Sequence, residues 1–149
     1  MGNPRQDSGP LKLSVKSDYA VRAILSLARR SGAGEITRVE TIATENGIPP
    51  NYLVQILIEL KSSGIVRSVR GKEGGYQLAR PPAGITFGEV LKTIYGPLFD
   101  SPAITDEKCP PELRDAWKRL RDSVEREAAA INFQQLLESG ADRTRMFYI

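Results

Sequence analysis

The sequence predicts a mainly α chain with one small β-hairpin: a three-helix unit that runs into the hairpin, followed by a linker helix and a long C-terminal helix. Three observations carry this. Apolar residues recur at helical spacing over most of the chain, the period drops to two only on either side of RGKEGGY at residues 70–76, and a second long helical pattern follows a proline-rich loop.

The first ten residues, MGNPRQDSGP, are polar and broken by Pro4, Gly9 and Pro10, and are expected to form a disordered arm or an expression remnant. From there, Ala20, Ala23, Ile24, Leu27 and Ala28 mark a first helix from about Asp18 to Ser31, with Ser17 as its N-cap and Gly32 as its stop. Thr37 and Glu40 have the spacing of a capping box at the start of a short second helix, which Asn46-Gly47 ends through a left-handed residue. Pro50 then opens a third helix whose Leu53, Ile56, Leu57 and Leu60 repeat at i, i+3, i+4, i+7. A short helix, a tight turn and a longer helix make a helix-turn-helix.

After Gly64 the alternation in IVRSVR and GYQLAR predicts two strands around GKEGG. Pro81, Pro82 and Gly84 mark a break, and Thr86 with Glu89 forms a second capping box ahead of a helix that buries Val90, Leu91 and Ile94. The loop GPLFDSPAITDEKCPP leads to a long helix with Leu113, Trp117, Leu120, Val124 and Ile131 at near-heptad spacing. FQQLLES reads as a short apolar-faced tail. The expected division is residues 1–10 arm, 11–84 helix-turn-helix with hairpin, and 85–149 linker helix, loop and long helix.

The glycine-rich stretch is a hairpin tip rather than a phosphate loop. A phosphate loop needs a helix after its glycines and a Ser or Thr after its lysine, whereas YQLAR is a strand pattern and Glu73 follows Lys72. A basic hairpin directly after a helix-turn-helix is a wing, with Arg67, Arg70, Lys72 and Arg80 along it. Opposite the buried stripe of the third helix stand Asn51, Gln55, Ile58 and Ser62, with Val54 on the flank. Asn or Gln can read adenine through two bonds and an apolar side chain can rest on a thymine methyl; packing of Val54 and Ile58 on the wing or on another helix is the other reading. The wing cations would neutralise phosphates.

Charge and composition agree with a polyanion partner for one half of the chain. Residues 11–80 hold 11 Lys and Arg against 6 Asp and Glu, net +5, whereas residues 81–149 hold 9 against 11, net −2. With no histidine and one cysteine, histidine-dependent catalysis and an intrachain disulfide are excluded, and an enzyme ranks last among the readings. No signal peptide or membrane-spanning pattern is evident, so a cytoplasmic protein without membrane contact is expected.

The segments LSVKSDYAVRAILSLA, ITRVETIATENGIPPNYLVQILIELKSSGIVRSVRGKEGGYQLARP and ITFGEVLKTIYGPL, in this order, resemble the Rrf2 family of bacterial winged helix-turn-helix transcription regulators over roughly Leu11 to Trp117. The resemblance implies a homodimer on a palindromic double-stranded DNA site, with Asn51, Val54 and Gln55 on the reading helix and Arg70, Gly71 and Lys72 on the wing. The full candidate DNA-contacting set is Thr37, Asn51, Tyr52, Val54, Gln55, Arg67, Arg70, Gly71, Lys72, Gly74 and Arg80. Leu113, Trp117, Leu120, Val124 and Ile131 either fill the chain's own core or pair with a second copy, the latter being favoured for so long a helix.

Cluster-binding members of that family carry three cysteines before the long helix, whereas this chain has only Cys109 there, so it is similar to the cluster-free members and no cofactor or metal is expected. Cys109 is then either a redox switch or a bystander. A small molecule bound between the winged domain and the Thr86–Tyr95 helix, or a protein partner, are the other expected effectors. Repression is the expected outcome of operator binding. The alternative is a winged-helix module that binds a protein and no DNA.

Overall fold

The computed structural model describes residues 13–147, and the N-terminal arm expected over residues 1–10 lies outside them. Among the described residues six helices and one hairpin occur in the order α1 (Val15–Ser31), α2 (Val39–Asn46), α3 (Pro50–Ser62), β1 (Val66–Val69), β2 (Gly75–Leu78), α4 (Phe87–Ile94), α5 (Pro111–Ala130) and α6 (Phe133–Phe147). Short 3-10 turns at Pro82–Gly84 and Pro102–Ile104 flank α4. Among the described residues no helix is long and apolar enough to cross a membrane.

The predicted apolar stripes are the core. Ala20, Ala23 and Ile24 of α1, Ile42 of α2, and Leu53, Ile56, Leu57 and Leu60 of α3 are all sealed from solvent. Helix α1 starts earlier than expected because Ser14 is its cap, accepting the Ser17 amide at 3.2 Å, while the buried Ser17 hydroxyl pairs with that of Ser14 at 3.1 Å. Polar contacts fix α2 on α1. The Asn46 amide donates to Ser26 Oγ at 2.7 Å and to the Ile42 carbonyl at 2.9 Å, and Arg30 of α1 forks onto the Glu45 carboxylate. Gly47 takes φ 65°, as the turn after α2 requires.

The capping box expected at α2 does not form. Arg38 occupies the N-cap position without a side-chain capping bond, and Thr37 is drawn into the sheet, donating its amide to the Tyr76 carbonyl at 2.9 Å and accepting from the Tyr76 amide at 2.8 Å. Backbone pairing satisfies two groups at once where a hydroxyl cap would satisfy one, so tertiary context overrides the local signal. The capping box at α4 forms by half: Thr86 Oγ1 accepts from the Glu89 amide at 3.1 Å, but the Glu89 carboxylate turns to Arg80.

The C-terminal tail is a full helix. Asn132 and Gln135 cap α6 reciprocally, Oδ1 of Asn132 accepting from the Gln135 amide at 2.9 Å and the Gln135 side chain accepting from the Asn132 amide at 3.4 Å. Phe133 is sealed in the core, 6.3 Å from the Phe87 ring, and Leu136 and Leu137 pack beside it. The Phe87 amide donates to the Ile131 carbonyl at 2.7 Å and the Phe133 amide to that of Ile85 at 3.1 Å, so the end of α5 is stitched to the start of α4. Ile85, Val90 and Phe133 belong to the same cluster as Ile24 and Leu57, so the core continues across the boundary expected at residue 84.

Candidate nucleic-acid interface

The third helix presents one polar face to solvent because its other face is fully used. Asn51, Gln55 and Ser62 are exposed, and Ile58 is 49% exposed among them. Val54 is half-buried at the margin. Tyr52 keeps its phenol accessible while its ring meets Tyr19 of α1 edge-on at 5.7 Å. A Lys16–Glu59 ion pair of 2.6 Å braces the helix against α1. The face thus offers two amides and a butyl-sized apolar group on a rigid backbone, the composition that major-groove readout uses.

Beside it projects the hairpin, in the register Val66↔Leu78, Arg67↔Gln77, Ser68↔Tyr76 and Val69↔Gly75. The three glycines act differently. Gly71 has φ 117°, a conformation open to glycine alone at little strain. Gly74 and Gly75 instead permit close approach: a Cβ on Gly74 would stand 2.4 Å from the Val69 carbonyl oxygen, and one on Gly75 2.3 Å from that of Thr37. The wing is therefore narrow at its tip and pressed against the strand-like residue ahead of α2.

The expected cations divide into two groups. Arg70 and Lys72 are exposed at the tip and their side chains make no ion pair among the described residues. Arg67 is held by Gln77, its Nε donating to Oε1 at 2.7 Å. Arg80 is committed to its own chain, with its guanidinium on the Glu89 carboxylate and on the Gly84 carbonyl at 2.8 Å, so it joins the wing to α4 instead of offering charge to phosphate. Thr37 is likewise withdrawn: it is 4% exposed, and its place in the bridge to Tyr76 puts its side chain inside the fold. Gly74 serves the backbone of the tip.

Arg38 was missed by sequence reasoning. It is exposed at the α2 N-cap, and its guanidinium donates to the Lys72 carbonyl, linking the helix-turn-helix to the tip of the wing. A cation at a helix N-terminus opposes the macrodipole, and that unfavourable placement was the available signal.

Leu113, Trp117, Leu120 and Val124 line one exposed side of α5. Trp117 stacks on Phe99 at 6.1 Å. Ile131 belongs to the junction with α4 instead, half-buried just past the helix end. Cys109 sits half-buried before α5, its carbonyl accepting from Arg114 at 3.0 Å.

A model of the Rrf2 family, described as iron-dependent transcriptional regulators, matches residues 13–139. The chain belongs to the Rrf2 family. This Rrf2 chain is 40% identical over 119 residues to an HTH-type transcriptional regulator of Mycobacterium tuberculosis, an alignment covering 76% of this chain and 73% of the relative. To the regulator CymR of Bacillus subtilis it is 33% identical over 141 residues, 93% of this chain and 100% of that one. Among solved structures, CymR of B. subtilis, the global cysteine regulator, superposes with a TM-score of 0.78 at 32% identity, covering 87% of this chain and 98% of that chain. IscR of T. potens gives 0.72 at 31% identity, covering 87% and 88%. The Rrf2 chain is thus a transcriptional regulator with a winged helix-turn-helix.

An iron–sulfur cluster held by cysteine thiolates does not fit the donor set of this Rrf2 chain. A cluster held by cysteine thiolates needs several, and Cys109 is the single cysteine of the sequence. Among the described residues no three His, Cys, Asp or Glu side chains converge as a metal site.

Proposed function

We propose that this Rrf2 regulator acts as a homodimeric repressor that reads a near-palindromic operator with Asn51, Tyr52, Val54 and Gln55 of α3 and grips the flanking backbone with Arg67, Arg70 and Lys72 of the wing. The observation that carries the reading is the pairing of an exposed amide-and-apolar face on a braced helix with two uncommitted cations at the tip of the adjoining hairpin. Amide side chains supply discrimination at base edges, while the cations supply affinity that salt erodes. Ile58 joins the apolar part of that face.

The exposed Leu113, Trp117, Leu120 and Val124 side of α5 is the dimer seam of this reading. A two-fold axis there sets two reading helices about 34 Å apart or a multiple of it, and the half-sites must repeat with the same spacing. Bound across a promoter, such a dimer blocks polymerase by occupancy alone.

The test is selection of sequences from a random double-stranded DNA pool with the purified chain, at low and moderate salt. Recovery of an inverted repeat is the expected result. A single unrepeated half-site would refute the dimeric reading, and a folded protein that enriches nothing at either salt concentration would refute base recognition by α3.

A further inference from the structure

A cavity of about 670 Å³ lies between α4, the segment after it and the second half of α5. This is not where a small-molecule site was expected: the side of α4 facing the winged domain is filled by Val90, and the open space is on its other side, against α5. Helices α4 and α5 touch at Gly88, where a Cβ would lie 3.1 Å from Ala128.

The walls have a consistent chemistry. Phe87, Tyr95 and Phe99 contribute three aromatic rings and Leu91 an aliphatic floor, and the polar groups at the rim are the carboxylates of Asp100 and Glu127. Among the described residues no lysine or arginine lines the cavity. Its volume is in the range of small-molecule sites, roughly 300–1,000 Å³. Aromatic faces attract cations through their quadrupoles, and two unopposed carboxylates at the mouth add attraction of the same sign.

We infer that this cavity is a binding site for a lipophilic organic cation, a positively charged centre carried on an apolar or aromatic body. The walls favour the body, and the rim selects the charge. An anion of the same shape meets two carboxylates and no cation, so discrimination by charge sign is the distinguishing property of the site.

The single tryptophan makes the test direct. Trp117 stacks on Phe99, a wall of the cavity, at 6.1 Å, so occupancy is expected to change its emission. Full-length protein is titrated with tetraphenylphosphonium and, separately, with tetraphenylborate, which shares its shape and reverses its charge. Equilibrium dialysis of both ions runs in parallel and gives the stoichiometry whatever the fluorescence does. Saturable binding of one cation per chain, with the borate at least about fivefold weaker, is the expected outcome. The Asp100→Asn and Glu127→Gln double variant alters only exposed groups, and its new carboxamide at position 100 still offers an oxygen to the Ser101 amide. It is expected to lose about fivefold for the cation and nothing for the borate.

Equal binding of both ions, an affinity unchanged in the double variant, or no saturable uptake by dialysis overturns the assignment. The last result is also what a dimer that fills the cavity with its own side chains would give. No DNA is present in the assay, so its outcome does not depend on operator binding, although Val124 is shared between the cavity and the proposed dimer seam.

Discussion

Gly75 and Thr37 are in backbone contact: a Cβ on the glycine would stand 2.3 Å from the threonine carbonyl oxygen and 3.0 Å from the next amide nitrogen. The wing is thereby seated on the segment that enters α2, through the paired bonds between Thr37 and Tyr76. Gly75→Ala must push the hairpin away. Its expected cost is about 2 kcal/mol or more in urea unfolding, in the range of strained backbone sites. Specific DNA affinity is expected to fall as well, since Arg70 and Lys72 move with the tip. A neutral Gly75→Ala would show that the hairpin is not held there.

Thr37 was expected at the interface and is instead buried, with Oγ1 lacking a hydrogen-bond partner among the described residues. A buried hydroxyl without a partner is costly, so Thr37→Val, of nearly the same shape, is predicted to raise stability by about 1 kcal/mol. Operator affinity should not change. A gel-shift titration that showed a large loss would return Thr37 to the DNA-contacting set.

Gln55 and Lys72 are assigned opposite kinds of contact. Gln55→Ala is predicted to cost about 1–3 kcal/mol at one base position and to relax preference there, measured on a panel of single-substitution operators. Lys72→Ala should weaken all sequences alike and reduce the slope of log affinity against log salt by about one. Uniform losses from both variants would refute the division into reader and anchor.

The Arg30 guanidinium holds the Glu45 carboxyl below its usual range, first through their hydrogen bond, which burial opposes as the next largest effect, and then through charge. A carboxyl depressed by folding stabilises the fold above its unfolded pKa, about 4.3, and that contribution is lost as pH falls through the lower folded value. The side chain is 38% exposed, so the pair contributes no more than about 1 kcal/mol after solvent screening. Glu45→Gln is accordingly expected to unfold more easily at pH 7 and to converge with the parent chain once the pH falls below the depressed folded value. A gap that widened on acidification would contradict the pairing.

Leu120 is exposed in the middle of the α5 stripe. Leu120→Glu places a charge on the proposed seam and is predicted to shift sedimentation from dimer to monomer by at least tenfold in dissociation constant, an effect of about 1.4 kcal/mol. Far-ultraviolet circular dichroism should be unchanged, because Leu120 lies outside the chain's own apolar cluster. A dimer of unaltered strength would place the two-fold axis elsewhere.

Most of the winged domain was legible because its signals are local. Stripes at helical spacing became the buried faces of α1 and α3, Gly47 became the left-handed turn, and the change of period at residue 64 became the hairpin. The failures were competitions that no local window displays. Thr37 could cap or pair, and the partner strand decided; Arg80 could face phosphate or Glu89, and α4 decided. Helix α6 was underestimated for a different reason. Asn132 and Gln135 have the spacing of a reciprocal cap, a signal present in the sequence but overlooked beside the longer pattern of α5.

Phe133 lies far along the chain from Ile24, yet the two share one apolar cluster. The first half of the molecule therefore cannot be excised as a self-sufficient reader: ending the polypeptide after the wing would remove Ile85, Phe87, Val90 and Phe133 together and uncover their cluster partners Ile24 and Leu57. Any minimal reader, fusion or swapped chimera built from this regulator has to retain α6, so its cut points do not belong at the break that Pro81, Pro82 and Gly84 mark.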